Sequence, residues 1–330
     1  MKRLLAICGA LALAAATSAP EPLLMGYLGG SGTDDCDGIT LDRAGDIYLG
    51  CHSDSPDFPH LPAKAPPTSN ASMDAVVVKI DGRTGNIVWA TRTGGSDWDA
   101  AGDLEVAKDG SVYVLGQTQS ADFPTTTDAV QRKFAGPRRD VFVLKLDAGG
   151  KIVYSTLLGG SKNDEPGGFA VSDDGTVYVG GTTWSDDFPG VRARFGTRGA
   201  PDGFIARLRP GDPKSLQTVL LGGKGRNPVE GLALDRSGNL FATGSTSSID
   251  FPVLKRFADA PWRRTGRLPC ETARLRLEPA LFHLSRGLED GRRLGCRGGF
   301  RGQSDRLRHH CFGGLRNNSG SVSAATPRKL

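Results

Sequence analysis

Acidic residues follow a glycine-rich turn at three places in the chain, as Asp34 and Asp35, Asp97 and Asp99, and Asp164 and Glu165. Carboxylates gathered on loops are the donors that a hard cation such as calcium takes, because it wants several oxygen ligands at once. The same side chains also cap turns, by accepting hydrogen bonds from nearby backbone N–H groups. The corresponding fourth place reads Asn227-Pro228, and no loop carries the dense alternating ligands of an EF-hand. Structural turns are therefore favoured over calcium sites, and no other cofactor is expected.

Catalytic patterns are absent. No Gly-x-Ser-x-Gly elbow, His-Glu-x-x-His pair or phosphate-cradling loop occurs. His52 and His60 are the only histidines before residue 261, and a Ser-His-Asp hydrolase would need one of them as its base. A solvated loop histidine is the preferred reading of His52. Trp98 and Trp184 fall on loops, where indole rings can stack on sugars. Trp89 reads as a packing residue, because later copies of its segment carry Val153-Tyr154 and Thr218-Val219. Cys270, Cys296, His309, His310 and Cys311 have zinc-ligating chemistry, but their spacings match no compact ligand pattern, so no zinc site is expected.

A long repeat positions these residues. Asp-Phe-Pro begins at Asp57, Asp122, Asp187 and Asp250, Gly-Gly pairs begin at Gly29, Gly94, Gly159 and Gly222, and turn glycines stand at Gly45, Gly110, Gly175 and Gly238; each series steps by 65, 65 and 63 residues. Within one unit, Phe169 to Val171, the turn Ser172-Asp173-Asp174-Gly175 and Thr176 to Gly180 predict a hairpin whose glycine supplies a positive φ. Phe204 to Leu208 and Thr218 to Leu221 predict two further strands. The third strand is an unbroken apolar run in Val76 to Val78 and Val141 to Leu144, which implies a sheet covered on both faces. Gly and Pro together make up 66 of 330 residues, a turn-dense composition that suits this reading. The chain reads as all-β: a β-propeller of four-stranded antiparallel blades, incomplete as a ring, with about four repeats over 24–260 and an irregular C-terminal tail.

Val153-Tyr154-Ser155-Thr156-Leu157-Leu158-Gly159-Gly160-Ser161, the Asp-Gly turn and Ser185-Asp186-Asp187-Phe188-Pro189 resemble the bacterial SBBP β-propeller repeats. The resemblance runs from Met25 to about Pro252. It implies a secreted or surface propeller, often one module of a larger protein, and it implies neither a reaction nor a ligand. Met25 to Gly30 resembles only the last strand of a blade, the piece with which propellers often close their ring.

Lys2 and Arg3 before the apolar run Leu4 to Ala16 predict a secretory signal peptide over 1–19. The run falls short of the roughly 20 apolar residues of a transmembrane anchor. The mature chain is expected to be exported to the periplasm, cell surface or medium, with no membrane span, and to meet a protein or glycan at the cell surface. The antiparallel turn at Arg43 to Asp46 sets residues whose numbers sum to about 88 or 89 opposite one another, so Cys36 and Cys51 lie near each other and predict a disulfide.

The formal charge of +5 is unevenly spread. Residues 263–330 hold 15 Lys+Arg against 5 Asp+Glu, whereas residues 20–262 hold 24 against 31. The basic tail has an accidental explanation. Residues 265–290 can be back-translated, with permitted synonymous codons, so that reading from the second base gives PDAFLAKLRASGSNLLYSTYLGGSK. The same shift over 305–322 permits TVYGITASADFATTPGAF, which restores an Asp-Phe landmark in phase. Residues 261–330 are therefore expected to be a frameshifted, disordered basic tail, and no nucleic-acid partner follows from its charge. The expected function is that of a secreted, non-enzymatic propeller acting as an interaction or structural module, in a chain truncated by a frameshift. The alternative is an extracellular propeller hydrolase or lyase acting on polymer, which would need acid, base or metal groups converging at one mouth of the ring.

Overall fold

In a computed structural model, the described residues are 26–61, 72–199 and 201–252, with four later strands at 271–275, 282–286, 294–295 and 312–313. The expected signal segment, Cys270, Cys296, His309, His310 and Cys311 lie outside the described residues. Among the described residues there are strands and turns but no helix, and so none long and apolar enough to cross a membrane.

Four antiparallel sheets follow one another along the chain. Sheet one is β1 (Asp34–Leu41), β2 (Ile47–Ser53), β3 (Asp74–Ile80) and β4 (Ile87–Thr93), paired in that order. Sheet two repeats it with β5 (Asp99–Val106), β6 (Val112–Thr118), β7 (Asp140–Leu146) and β8 (Ile152–Leu158). Sheet three contains β9 (Asp164–Val171), β10 (Val177–Thr183), β12 (Asp202–Arg209) and β13 (Asp212–Leu221), with β11 (Val191–Phe195) added parallel to β13 at its outer edge. Sheet four joins β14 (Val229–Leu234) and β15 (Leu240–Gly244) to β16 (Glu271–Leu275) and β17 (Phe282–Arg286), so the stretch 261–330 contributes two strands to a blade. A small pair, β18 (Leu294–Gly295) with β19 (Phe312–Gly313), follows.

Each first hairpin closes on a turn whose glycine has the positive φ that the sequence pattern asks for: 90° at Gly45, 81° at Gly110, 80° at Gly175 and 75° at Gly238. The core lies between sheets. Side chains alternate across the third strands, so the apolar runs feed two cores at once. Phe142 and Leu144 pack with Tyr48, Ala75 and Val77 of sheet one, while Val141 and Val143 pack with Val177, Val179 and Phe204 of sheet three. Ile205 turns the other way, toward Val229, Leu240 and Ala242 of sheet four. The first strands of successive sheets meet one another, β1 with β5, β5 with β9 and β9 with β14, as propeller blades do around an axis. β1 and β5 come so close that a Cβ at Gly38 would lie 1.8 Å from Gly102 O. Among the described residues the sheets form an open row and not a closed ring.

Two outer edges are covered by the loop that follows Asp-Phe-Pro. In sheet three that cover is β11; in sheet two Thr126 N donates to Ser155 O (3.0 Å) and Leu157 N to Gln131 O (3.0 Å). Such cover blocks edge-to-edge pairing with another chain. β1 carries a bulge between Cys36 and Gly38 that brings Cys36 directly opposite Cys51, and the two Sγ atoms are bonded.

Candidate functional site

The polar residues singled out by the repeat meet where the Gly-Gly-Ser turn, the start of a first strand and the Asp-Phe-Pro loop converge. In sheet two, Asp99 Oδ2 accepts from Gly95 N (2.7 Å) and from Ser120 Oγ (2.8 Å), and Ser120 Oγ in turn accepts from Asp97 N (2.9 Å). Asp122 Oδ1 takes both the N–H and the hydroxyl of Ser96, at 2.7 and 2.9 Å. Sheet three repeats the arrangement with Asp164 on Gly160 N and Ser185 Oγ, and Asp187 on Ser161. Sheet one does so with Asp34 on Gly30 N and Ser55 Oγ, and Asp57 on Ser31. In sheet four Asn227 Oδ1 takes the place of the carboxylate, accepting from Thr246 Oγ1 (2.6 Å) and Ser248 Oγ (2.7 Å).

These partners and burial together set the electrostatics. Asp57, Asp122 and Asp187 are exposed, and donation from the serines holds their carboxyls below the usual range. Asp99 and Asp164 are buried, and loss of hydration pushes each up to about 6 against the pull of its donors. In sheets two and three the aromatic end of Asp-Phe-Pro goes inward: Phe123 stacks on Phe142 at 4.6 Å and Phe188 meets Phe204 at 4.4 Å in a tilted contact.

Of the six calcium candidates, Asp34, Asp99 and Asp164 are thus turn acceptors inside three separate blades. Asp35 and Asp97 accept from the next residue's N–H, and Glu165 from Asn163 Nδ2. Among the described residues no three His, Cys, Asp or Glu side chains gather as a metal group. His52 Nδ1 makes no hydrogen bond; it lies 3.8 Å from Asp37 Oδ2, and the serines on either side of Asp54 donate to Asp34 instead. Trp98 and Trp184 each meet side chains of the protein. The Arg139 guanidinium lies over the Trp98 ring at 5.5 Å and His52 meets that ring edge-on at 5.7 Å, while Arg226 lies over Trp184 at 5.6 Å. Trp89 packs between sheets one and two, against Tyr48 and with Nε1 donating to Ala148 O (3.1 Å). The sequence pattern assigned no role to the aspartates that open the third strands, Asp74, Asp140 and Asp202. They are buried, and the signal that could have marked them is a charged residue heading each doubly covered apolar run.

Repeated four-stranded sheets packed face to face, with the same polar clasp in each, define a β-propeller repeat protein. Residues 153–189 match the SBBP β-propeller repeat family, which bears out the resemblance read from the sequence over that unit. The chain is 28% identical over 169 residues to the regulatory protein FlaEY of Caulobacter vibrioides, a match covering 50% of this chain and 17% of that protein. The match therefore spans less than a fifth of that relative. Among solved structures it is similar to a protein of unknown function from Dyadobacter fermentans (12% identity, 78% of this chain and 71% of that one, TM-score 0.42) and to a thermostable family-43 glycoside hydrolase (9%, 79% and 77%, TM-score 0.37). Scores this low carry no argument about chemistry.

Proposed function

We propose that this chain is an exported, non-enzymatic propeller module whose blades serve as an interaction or structural scaffold, and that its basic tail arises from a shifted reading frame. The observation that supports a scaffold is how the polar groups are used. Asp34, Asp99 and Asp164 are each engaged within their own turn and blade, Asn227 takes the same place in sheet four, and this one clasp recurs where an enzyme would need unlike groups converging on one point. Cell-surface proteins or glycans are the partners proposed for such a scaffold. The test is a pair of assays on the full chain: hydrolysis or lysis of extracellular polysaccharides, and co-sedimentation with isolated cell envelopes. Envelope binding without turnover is expected. Turnover that disappears in His52→Ala would overturn the reading in favour of the hydrolase alternative.

A further inference from the structure

Each sheet after the first receives its predecessor on one face, and residues of its first strand do the receiving. Leu104 and Val106 pack with Tyr48, Ala75 and Val77 of sheet one, and Phe169 and Val171 pack with Tyr113, Val141 and Val143 of sheet two. Leu232 and Leu234 pack with Tyr178, Ile205 and Val219 of sheet three. By the repeat, the residues 65 positions before Leu104 and Val106 are Ile39 and Leu41 of sheet one. Among the described residues no sheet precedes sheet one, and these two side chains are 67% and 61% exposed where Leu104 is 9%.

The exposed pair belongs to a continuous apolar face. Leu41 lies opposite Ile47, Ile47 opposite Ile80 and Ile80 opposite Ile87, so one apolar row crosses all four strands; Ile39 lies opposite Leu49 beside it. Sheet two builds the same row from Val106, Val112, Leu146 and Ile152, and there sheet one covers it. In sheet one Phe58, Leu28 and Leu61 pack over Val76 and Val78 of the same face, yet Ile47, Ile80 and Ile87 stay only partly buried. An apolar row left to water in this way marks a docking surface.

Three junctions within the chain define what such a face takes: the leading face of another blade, with an aromatic ring from the second strand and aliphatic side chains from the third. Sheet four ends the row, and Phe241 of β15 holds there the place of Tyr48, Tyr113 and Tyr178. Because the row is open, that blade does not close on sheet one of its own chain. We propose that two copies of this chain associate head to tail, the leading face of sheet four in each seated on Ile39, Leu41 and the apolar row of sheet one in the other. A head-to-tail contact forms a ring when its rotation closes, and two rows of four sheets supply eight blades, within the about four to eight of closed propellers. The inference does not depend on whether the scaffold reading holds.

The test is sedimentation velocity on the full chain at tens of micromolar, with small-angle scattering on the same material. A mass of two chains and the scattering of a closed ring are expected. Ile39→Glu combined with Leu41→Glu should halve the mass; both side chains are exposed, so the change leaves the cores between sheets in place. Val153→Glu, an equal change of charge at an exposed site of sheet two, should keep the two-chain mass. Single chains of the unaltered protein overturn the proposal and leave the face to a foreign partner. A two-chain mass that survives the double substitution, an equal loss in Val153→Glu, or an open polymer or extended particle in scattering overturns it as well.

Discussion

At the scale of single residues, one substitution has already been made within the chain. Asn227 occupies the position of Asp34, Asp99 and Asp164, and it keeps the hydroxyl donors by accepting at Oδ1. The clasp therefore needs an acceptor more than a charge. Asp99→Asn is expected to leave stability within about 1 kcal/mol of the original, whereas Asp99→Ala strands Gly95 N and Ser120 Oγ and should cost about 2–3 kcal/mol in urea unfolding. Asp140 gives a pH signature. Burial, with Asp164 and Asp187 nearby, pushes its carboxyl from 3.8 up to about 7. Between those values the folded state holds a proton that the unfolded state has released, so stability falls as pH rises through the window and is level above it. This slope should amount to at most about 4 kcal/mol. Asp140→Asn should flatten its upper part, leaving the portion below about 6 that Asp99 and Asp164 contribute. Equal pH profiles for the two proteins would count against the assignment. The clasp residues were legible in the sequence because they recur at a fixed spacing. The isolation of Asp140 was not, because it depends on arginines reaching Asp74 from β4 and Asp202 from β11, and no period links those two places.

At the scale of elements, strands and turns were legible because glycine at a positive φ and an apolar run in a doubly covered strand are local consequences of the backbone. The cover over the outer edges was not. β11 reads Val-Arg-Ala-Arg-Phe and pairs in parallel with a strand about 25 residues further on, so nothing local marks it as part of a sheet. The bulge in β1 was also hidden, yet it sets the register at the disulfide. Numbers of paired residues sum to 88 at Gly38 and Gly50 but to 87 at Cys36 and Cys51. Reduction, or Cys36→Ser, is expected to lower stability by about 2–3 kcal/mol and to speed hydrogen exchange in β1 ahead of β3. Uniform acceleration across sheet one would show instead that the hairpin does not open on its own.

At the scale of the whole molecule, sheet four stands apart from its predecessors. The third strands of the first three sheets read DAVVVKI, DVFVLKL and DGFIARL, each with its aspartate opposite a hydroxyl residue of the second strand: Asp74 with Ser53, Asp140 with Thr118 and Asp202 with Thr183. β16 reads ETARL and pairs Glu271 with Gly244. The shifted reading of residues 265–289 supplies DAFLAKL, with its aspartate falling at position 266. That is 16 residues after Asp250, within the 15 to 18 that separate the same landmarks in the other sheets. Thr246 already donates to Asn227 as part of the fourth clasp, and by the repeat it is the residue this aspartate would face. Replacing residues 265–289 with PDAFLAKLRASGSNLLYSTYLGGSK should therefore shift the third strand of sheet four into the register of the others and restore an apolar run against Leu240 and Ala242. The expected outcome is an unfolding temperature higher by roughly 5 °C or more, with slower hydrogen exchange in β14 and β15. An unchanged melting curve would sink the shifted-frame explanation of the tail from the protein side. Coding DNA across residues 261–290 with codons incompatible with that string would sink it from the gene side.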